Sequence, residues 1–202
     1  MIPAEILLDG YSRGIFPMAG GDGEINWYES DPRTVLEIHA YRIPRDLRRI
    51  LNRGIFEIRV DSAFELVIRA CANRDSTWIS EEIVASYVNL HDLGYAHSVE
   101  AWLRPGTILH AGGKPMLEEK LAGGLYGVAL GAAFFGESMF HRASNASKVA
   151  LAYLVERLQV QRFELHDAQM MTPTLKLFGA HEIPRAEYLL RLRNALQKNR
   201  KF

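Results

Sequence analysis

Residues 123–148, GGLYGVALGAAFFGESMFHRASNASK, constrain the fold of this chain more than any other stretch. Small residues and aromatics fill 124–128 and 132–135, with Gly131 between them, and this predicts a hairpin. The apolar run then carries a single acid, Glu137, between Phe134, Phe135 and Gly136 on one side and Met139 and Phe140 on the other. A carboxylate in apolar surroundings is expensive unless it has a partner or a task. Directly after it, Ser144 or Asn145 is placed to cap a helix bearing Val149, Ala152, Leu154, Val155 and Leu158.

The pattern elsewhere alternates between the two periods. Residues 34–39, 56–60, 96–102 and 163–169 read as strands, and 44–52, 63–72, 174–178 and 185–198 as helices. A further helix has Ser80 as N-cap, Glu81 and Glu82 at its positive end, Ile83, Tyr87 and Leu90 as an apolar stripe, and Gly94 as its stop. Residues 1–32, rich in glycine and aromatics, read as loops around one short helix, and 104–120 as a loop with a short strand near Ile108. The fold class expected is α+β, with a small N-terminal lobe over 1–60 and a larger domain over 61–202. No apolar run approaches the roughly 18 residues that cross a bilayer, and the N-terminus lacks a basic stretch followed by an apolar core. A cytoplasmic protein without a membrane anchor is expected, and the single cysteine, Cys71, fits a reducing compartment.

The formal net charge is zero, so the whole chain does not advertise a polyanionic partner. Its distribution is less even. Arg33, Arg42, Arg45, Arg48, Arg49, Arg53 and Arg59 face only Glu37, Asp46 and Glu57 over residues 33–59. Such a cluster is either a solvated helix face or a surface for phosphates, which arginine grips bidentately.

Phosphate-loop, dinucleotide-binding, HExxH and CxxC motifs are all missing, and the seven histidines have no metal-ligand spacing. No metal and no cofactor are expected. Three positions pass this filter: Glu137, and the pair Asp167 and Gln169, whose separation by two on a strand puts both on one face. Each is either a satisfied structural hydrogen bonder or part of a cleft that recognises an amine or cation.

The segments YSRGIFPM, NWYESDPRTVLEI, CANRDSTWIS, LHDLGYAHSVEAW, GGLYGVALGAAFFGESMFHRASNASKVAL and DAQMMTPTLKLFGAHEIPRAEYL run in order along nearly the whole chain. Together they resemble the leucyl/phenylalanyl-tRNA–protein transferases. That resemblance implies that the larger lobe has a fold of the acetyl-CoA-dependent N-acetyltransferase type. It also implies transfer of Leu or Phe, and less readily Met, from aminoacyl-tRNA to proteins that begin with Arg or Lys, marking them for N-degron degradation. The partners implied are aminoacyl-tRNA and these acceptors, with the enzyme a monomer.

Carried over residue by residue, the resemblance makes Leu125, Phe134, Met139, Leu151 and Leu154 the pocket for the amino-acid side chain. Trp78 would face the terminal adenosine or neighbouring substrate, and Glu137 would sit beside the pocket as a recogniser. Asp167 and Gln169 would form the reacting centre, with Asp167 holding the acceptor's amine or cationic side chain, while Arg33, Arg42, Arg45, Arg48, Arg49 and Arg53 would hold tRNA phosphates. The chain departs from the family pattern at Met18, where a tryptophan is usual, and at Thr174, where a histidine is common. An acetyltransferase and a non-catalytic RNA-binding module are the competing classes. The start of the helix at 144–148 lacks the glycine-rich pyrophosphate loop that an acetyltransferase needs.

Overall fold

Two prolines with extended backbone, Pro3 and Pro44, open the first two helices, α1 (Ala4–Ser12) and α2 (Arg45–Arg53), where a missing N–H is harmless. Between them lie a hairpin of β1 (Phe16–Ala19) and β2 (Ile25–Tyr28) and the short strand β3 (Arg33–Val35). The chain continues through β4 (Phe56–Val60), α3 (Phe64–Ala72) and α4 (Glu81–Asp92), and the Ser80 side chain caps α4 by accepting from the Ile83 N–H at 3.3 Å. Strands β5 (Ala96–Leu103), β6 (Lys120–Leu130) and β7 (Ala133–His141) form an antiparallel meander. Helix α5 (Ala146–Val160), strand β8 (Leu165–Gln169), helix α6 (Pro173–Leu177), strand β9 (His181–Ile183) and helix α7 (Arg185–Leu196) complete the order. This computed structural model describes residues 1–108, 114 and 116–202. Part of the loop expected over 104–120 therefore lies outside the described residues, and Ile108 itself belongs to no strand.

Among the described residues, seven strands make one mixed sheet in the order β4-β5-β6-β7-β8-β3-β9, with only β7 and β8 parallel. On one face, α1, α3, α4 and α7 bury Leu7, Phe64, Tyr87 and Leu192 against Tyr126 and Phe135. On the other, α5 lays Leu151, Leu154 and Leu158 against Leu125 and Phe134. Each such fully buried leucine contributes about 1.5–3 kcal/mol. Gly123 permits the close approach of α5, because a Cβ there would lie 2.6 Å from that of Ala146. Gly131, at φ 62°, turns β6 into β7.

A lobe over 1–60 is not what these residues build. Strand β4 pairs with β5 at one end of the sheet, and β3 inserts between β8 and β9 near the other. The boundary expected at 60/61 thus cuts a single sheet, because strands too short to stand alone borrow their ladder partners from the rest of the chain. The first 32 residues, expected as loops, also carry the β1–β2 hairpin. No helix among the described residues is long and apolar enough to cross a membrane.

Two local features of β7 prepare the site. The parallel ladder with β8 pairs Ala133 with Leu165, Phe134 with His166 and Phe135 with Asp167, and goes no further, while β7 runs on to His141. On its other side Gly127 faces Gly136 and Tyr126 faces Ser138, so Glu137 is the extra residue of a β-bulge.

Candidate active site

Where β7 and β8 part company, a cavity of about 710 Å³ opens, with Glu137 and Gln169 in its wall. The bulge aims Glu137 at the face covered by α1 and α4. There Tyr11 donates to Glu137 Oε1 at 2.7 Å and Tyr87 to Oε2 at 3.2 Å, and Gln169 Nε2 donates to Oε1 at 2.8 Å. The Tyr11 and Tyr87 hydroxyls also touch each other.

Burial pushes the Glu137 carboxyl up to about 7, against the pull of its three hydrogen-bond donors, and nearby Asp167 adds to the rise. Both phenols are raised above their ordinary value, chiefly by burial and by the Glu137 charge, so they remain donors.

Asp167 has a different position from the one expected. It is fully buried beneath the cavity wall, where it forms a bidentate ion pair with Arg33, accepts from Tyr188 Oη at 2.6 Å, and accepts from the Gln169 backbone N–H at 2.9 Å. Four donors leave it no lone pair for a substrate. Gln169 keeps to the Asp167 side of the sheet, as a separation of two expects; its backbone is left-handed, with φ 59°, and its amide reaches Glu137.

The apolar part of the cavity is built by Leu125 on β6, Met139 on β7, and Leu151 and Leu154 on α5, with Trp78 and Met18 farther along its wall. Thr174 also lines it. Phe134, expected among these residues, is not part of the lining. It is fully buried behind the wall, its ring stacked 5.1 Å from that of Phe202. On the rim, Arg74 donates to the Met139 carbonyl at 2.5 Å and Arg142 lies over the Phe140 ring at 5.5 Å.

The arginine cluster divides. Arg42, Arg45, Arg48, Arg49 and Arg53 are exposed on or beside α2, whose Leu47 anchors the helix in the core. Arg33 is 1 % exposed and belongs to Asp167, so it is removed from the phosphate-binding set. Counting charges along a sequence cannot separate an arginine on a surface helix from one on an interior strand.

Residues that sequence reasoning missed include Tyr11, Tyr87 and Tyr188, which orient the two acids, and His166 in the cavity wall. The spacing of Tyr87 on the apolar stripe of α4 marked it as buried but not as a hydrogen bonder. Among the described residues, no group of three or more His, Cys, Asp or Glu side chains converges for a metal.

The residues that line the cavity fall within regions matched by known proteins. A family model described as leucyl/phenylalanyl-tRNA protein transferase matches residues 35–193, and one described as the N-terminal domain of that family matches 1–31. The leucyl/phenylalanyl-tRNA–protein transferase of Rubrobacter xylanophilus is 51% identical over 198 residues, covering 98% of this chain and 97% of that protein. The protein of the same name from Gloeobacter violaceus is 50% identical over 199 residues, covering 98% and 96%. That from Herpetosiphon aurantiacus is 46% identical over 199 residues, again covering 98% and 96%.

Proposed function

The chain belongs to the leucyl/phenylalanyl-tRNA protein transferase family, and from that premise we propose how its cavity moves an amino acid from tRNA to a protein. It is an aminoacyltransferase with an aminoacyl-tRNA donor and a protein acceptor. Leu125, Met139, Leu151 and Leu154 hold the donor side chain, which is leucine or phenylalanine and less readily methionine. Trp78 stacks on the terminal adenosine, and the α2 arginines hold phosphates of the tRNA body. The acceptor is the α-amino group of a protein that begins with Arg or Lys, and the product is marked for N-degron degradation. The lobe around the cavity is an acyltransferase of the acetyl-CoA-dependent N-acetyltransferase type, a reading supported by the mixed sheet with α5 packed behind the parted strands. The enzyme works as a cytoplasmic monomer.

The observation that carries the mechanism is a carboxyl near pKa 7 beside an apolar pocket. The acceptor amine has a free pKa of about 7.7–8.0, so roughly a tenth to a sixth of it is neutral at pH 7. Its nitrogen attacks the ester carbonyl, forming the C–N bond. The ammonium proton of the tetrahedral adduct passes to ionised Glu137, the C–O ester bond breaks, and the proton leaves with the 3′-oxygen of the tRNA. An ordinary glutamate near 4.3 is a poor match for the free amine, whereas Glu137 lies within about one unit of it. Gln169 fixes Oε1, and the two tyrosines fix the plane of the carboxyl.

Asp167 acts one layer back. It holds Arg33 and Tyr188 and, through the Gln169 N–H, the turn that presents the Gln169 amide. Alignment of amine and ester is the larger contribution, about 7–11 kcal/mol. The deciding experiment is transfer of labelled leucine from leucyl-tRNA to a peptide beginning with Arg. A new peptide bond on that peptide, and none on the same peptide with a blocked amine, is expected. Absence of the bond overturns the proposal.

A further inference from the structure

One polar side chain in the cavity wall has no use in the reaction just described. His166 on β8 is 2 % exposed and lines the cavity on the same side of the sheet as Leu151 and Leu154. Its backbone carbonyl accepts from the Leu36 N–H at 3.0 Å, but its ring makes no hydrogen bond among the described residues, and Nδ1 is sealed from the surface without a partner. The ring packs edge-on against Phe134 with centroids 5.8 Å apart. Nε2 lies toward Gly136, itself in the cavity wall, where a Cβ would sit only 3.4 Å away; glycine leaves that space clear.

A buried histidine is ordinarily satisfied by a carbonyl or a carboxylate. Here neither nitrogen is, although a leucine would fill the same space without the penalty of an unpaired polar atom. Burial pushes the ring down to about 4, outweighing the upward pull of Asp167, so the imidazole is neutral, and with Nδ1 sealed it is Nε2 that can meet a group in the cavity. A leucine or phenylalanine side chain offers it nothing.

We infer that His166 is a specificity-determining residue of the donor pocket, favouring an aminoacyl side chain that carries a hydrogen-bonding atom near its end over the all-carbon side chain of the same size. The inference rests on the donor-pocket assignment made above. Two natural side chains share this chemistry, the thioether of methionine and the phenol of tyrosine, and each has a close all-carbon counterpart, norleucine and phenylalanine.

The test charges one tRNA chemically with each of the four amino acids and with leucine, and measures transfer to an Arg-starting peptide below saturation. Rates are compared as the ratios Met to norleucine and Tyr to Phe within each protein, so a general loss of activity cancels. In the parent enzyme at least one ratio is expected to exceed that of His166→Leu by about 3- to 10-fold, the worth of one neutral hydrogen bond. His166→Gln, which keeps a hydrogen-bonding group, is expected to fall between them and serves alone if His166→Leu does not fold. A change confined to the Met ratio assigns the thioether, and one confined to the Tyr ratio assigns the phenol. Ratios equal in the parent and the variants, with leucine still transferred, overturn the inference and leave the proposed function standing. No transfer of leucine by the parent overturns that function itself.

Discussion

Arg33 and Asp167 meet in a two-pronged ion pair, Nε to Oδ1 at 2.8 Å and Nη2 to Oδ2 at 2.6 Å, with side chains only 1% and 0% exposed. Removing one partner leaves the other as an uncompensated buried charge, which costs about 3–5 kcal/mol. Arg33→Met is expected to lose stability on this scale in urea unfolding. Its binding of aminoacyl-tRNA, measured where it is still folded, is expected to keep the parent's salt dependence. A reduced salt slope would return Arg33 to the phosphate-binding set.

Glu137→Gln is expected to slow transfer by about 10²–10⁴-fold at pH 7.5 with little change in the KM for leucyl-tRNA. In the parent, kcat should climb through pH 7 as Glu137 ionises, and this acid limb should vanish in the variant. A limb that persists unchanged in Glu137→Gln would assign the proton to another group.

The same carboxyl links stability to pH. Its folded value of about 7 lies above the ordinary 4.5, so folding favours the protonated form. That contribution is complete below pH 4.5, is lost as pH rises through 7, and amounts to at most about 3 kcal/mol. Unfolding free energies at pH 5 and pH 8 are expected to converge in Glu137→Gln relative to the parent.

Single alanine replacements of Arg48, Arg49 and Arg53 should weaken aminoacyl-tRNA binding and flatten its dependence on salt by roughly 0.7–0.9 in slope for each phosphate no longer neutralised. Filter binding at several salt concentrations reads both effects. An unchanged slope in all three variants would make the exposed face of α2 a solvated surface and nothing more.

Trp78→Ala should behave in the opposite way. A stacked base is worth about 1–3 kcal/mol, so affinity for a short leucyl-adenosine fragment is expected to fall while the salt slope of full-length tRNA binding stays as it was. Equal affinity of parent and variant for the fragment would move the adenosine elsewhere.

Much of the fold was legible because local signals agreed with packing. The Ser80 cap, Gly94 and the apolar stripe between them predicted α4, and the glycines of 123–131 predicted the turn from β6 into β7. The site was only half legible. Leu125, Met139, Leu151, Leu154 and Glu137 line one cavity. Asp167 and Phe134 do not, since period-two alternation places a side chain on a face but does not say how deep it lies. Three departures were invisible in the residues: the bulge at Glu137, the left-handed turn at Gln169, and the pairing of Arg33 with an acid more than a hundred positions away.

The bulge sets the interests of the sheet against those of the reaction. Deleting one residue between Gly136 and Ser138 would let β6 and β7 zip without a skipped rung, and a designer asked only for a sturdier protein would make that edit. It would also erase the acid, leaving Tyr11, Tyr87 and the Gln169 amide without the group they hold. On the proposed role of Glu137, the change that improves the scaffold ends the catalyst, so screens for thermal stability should be expected to select inactive proteins at this position first.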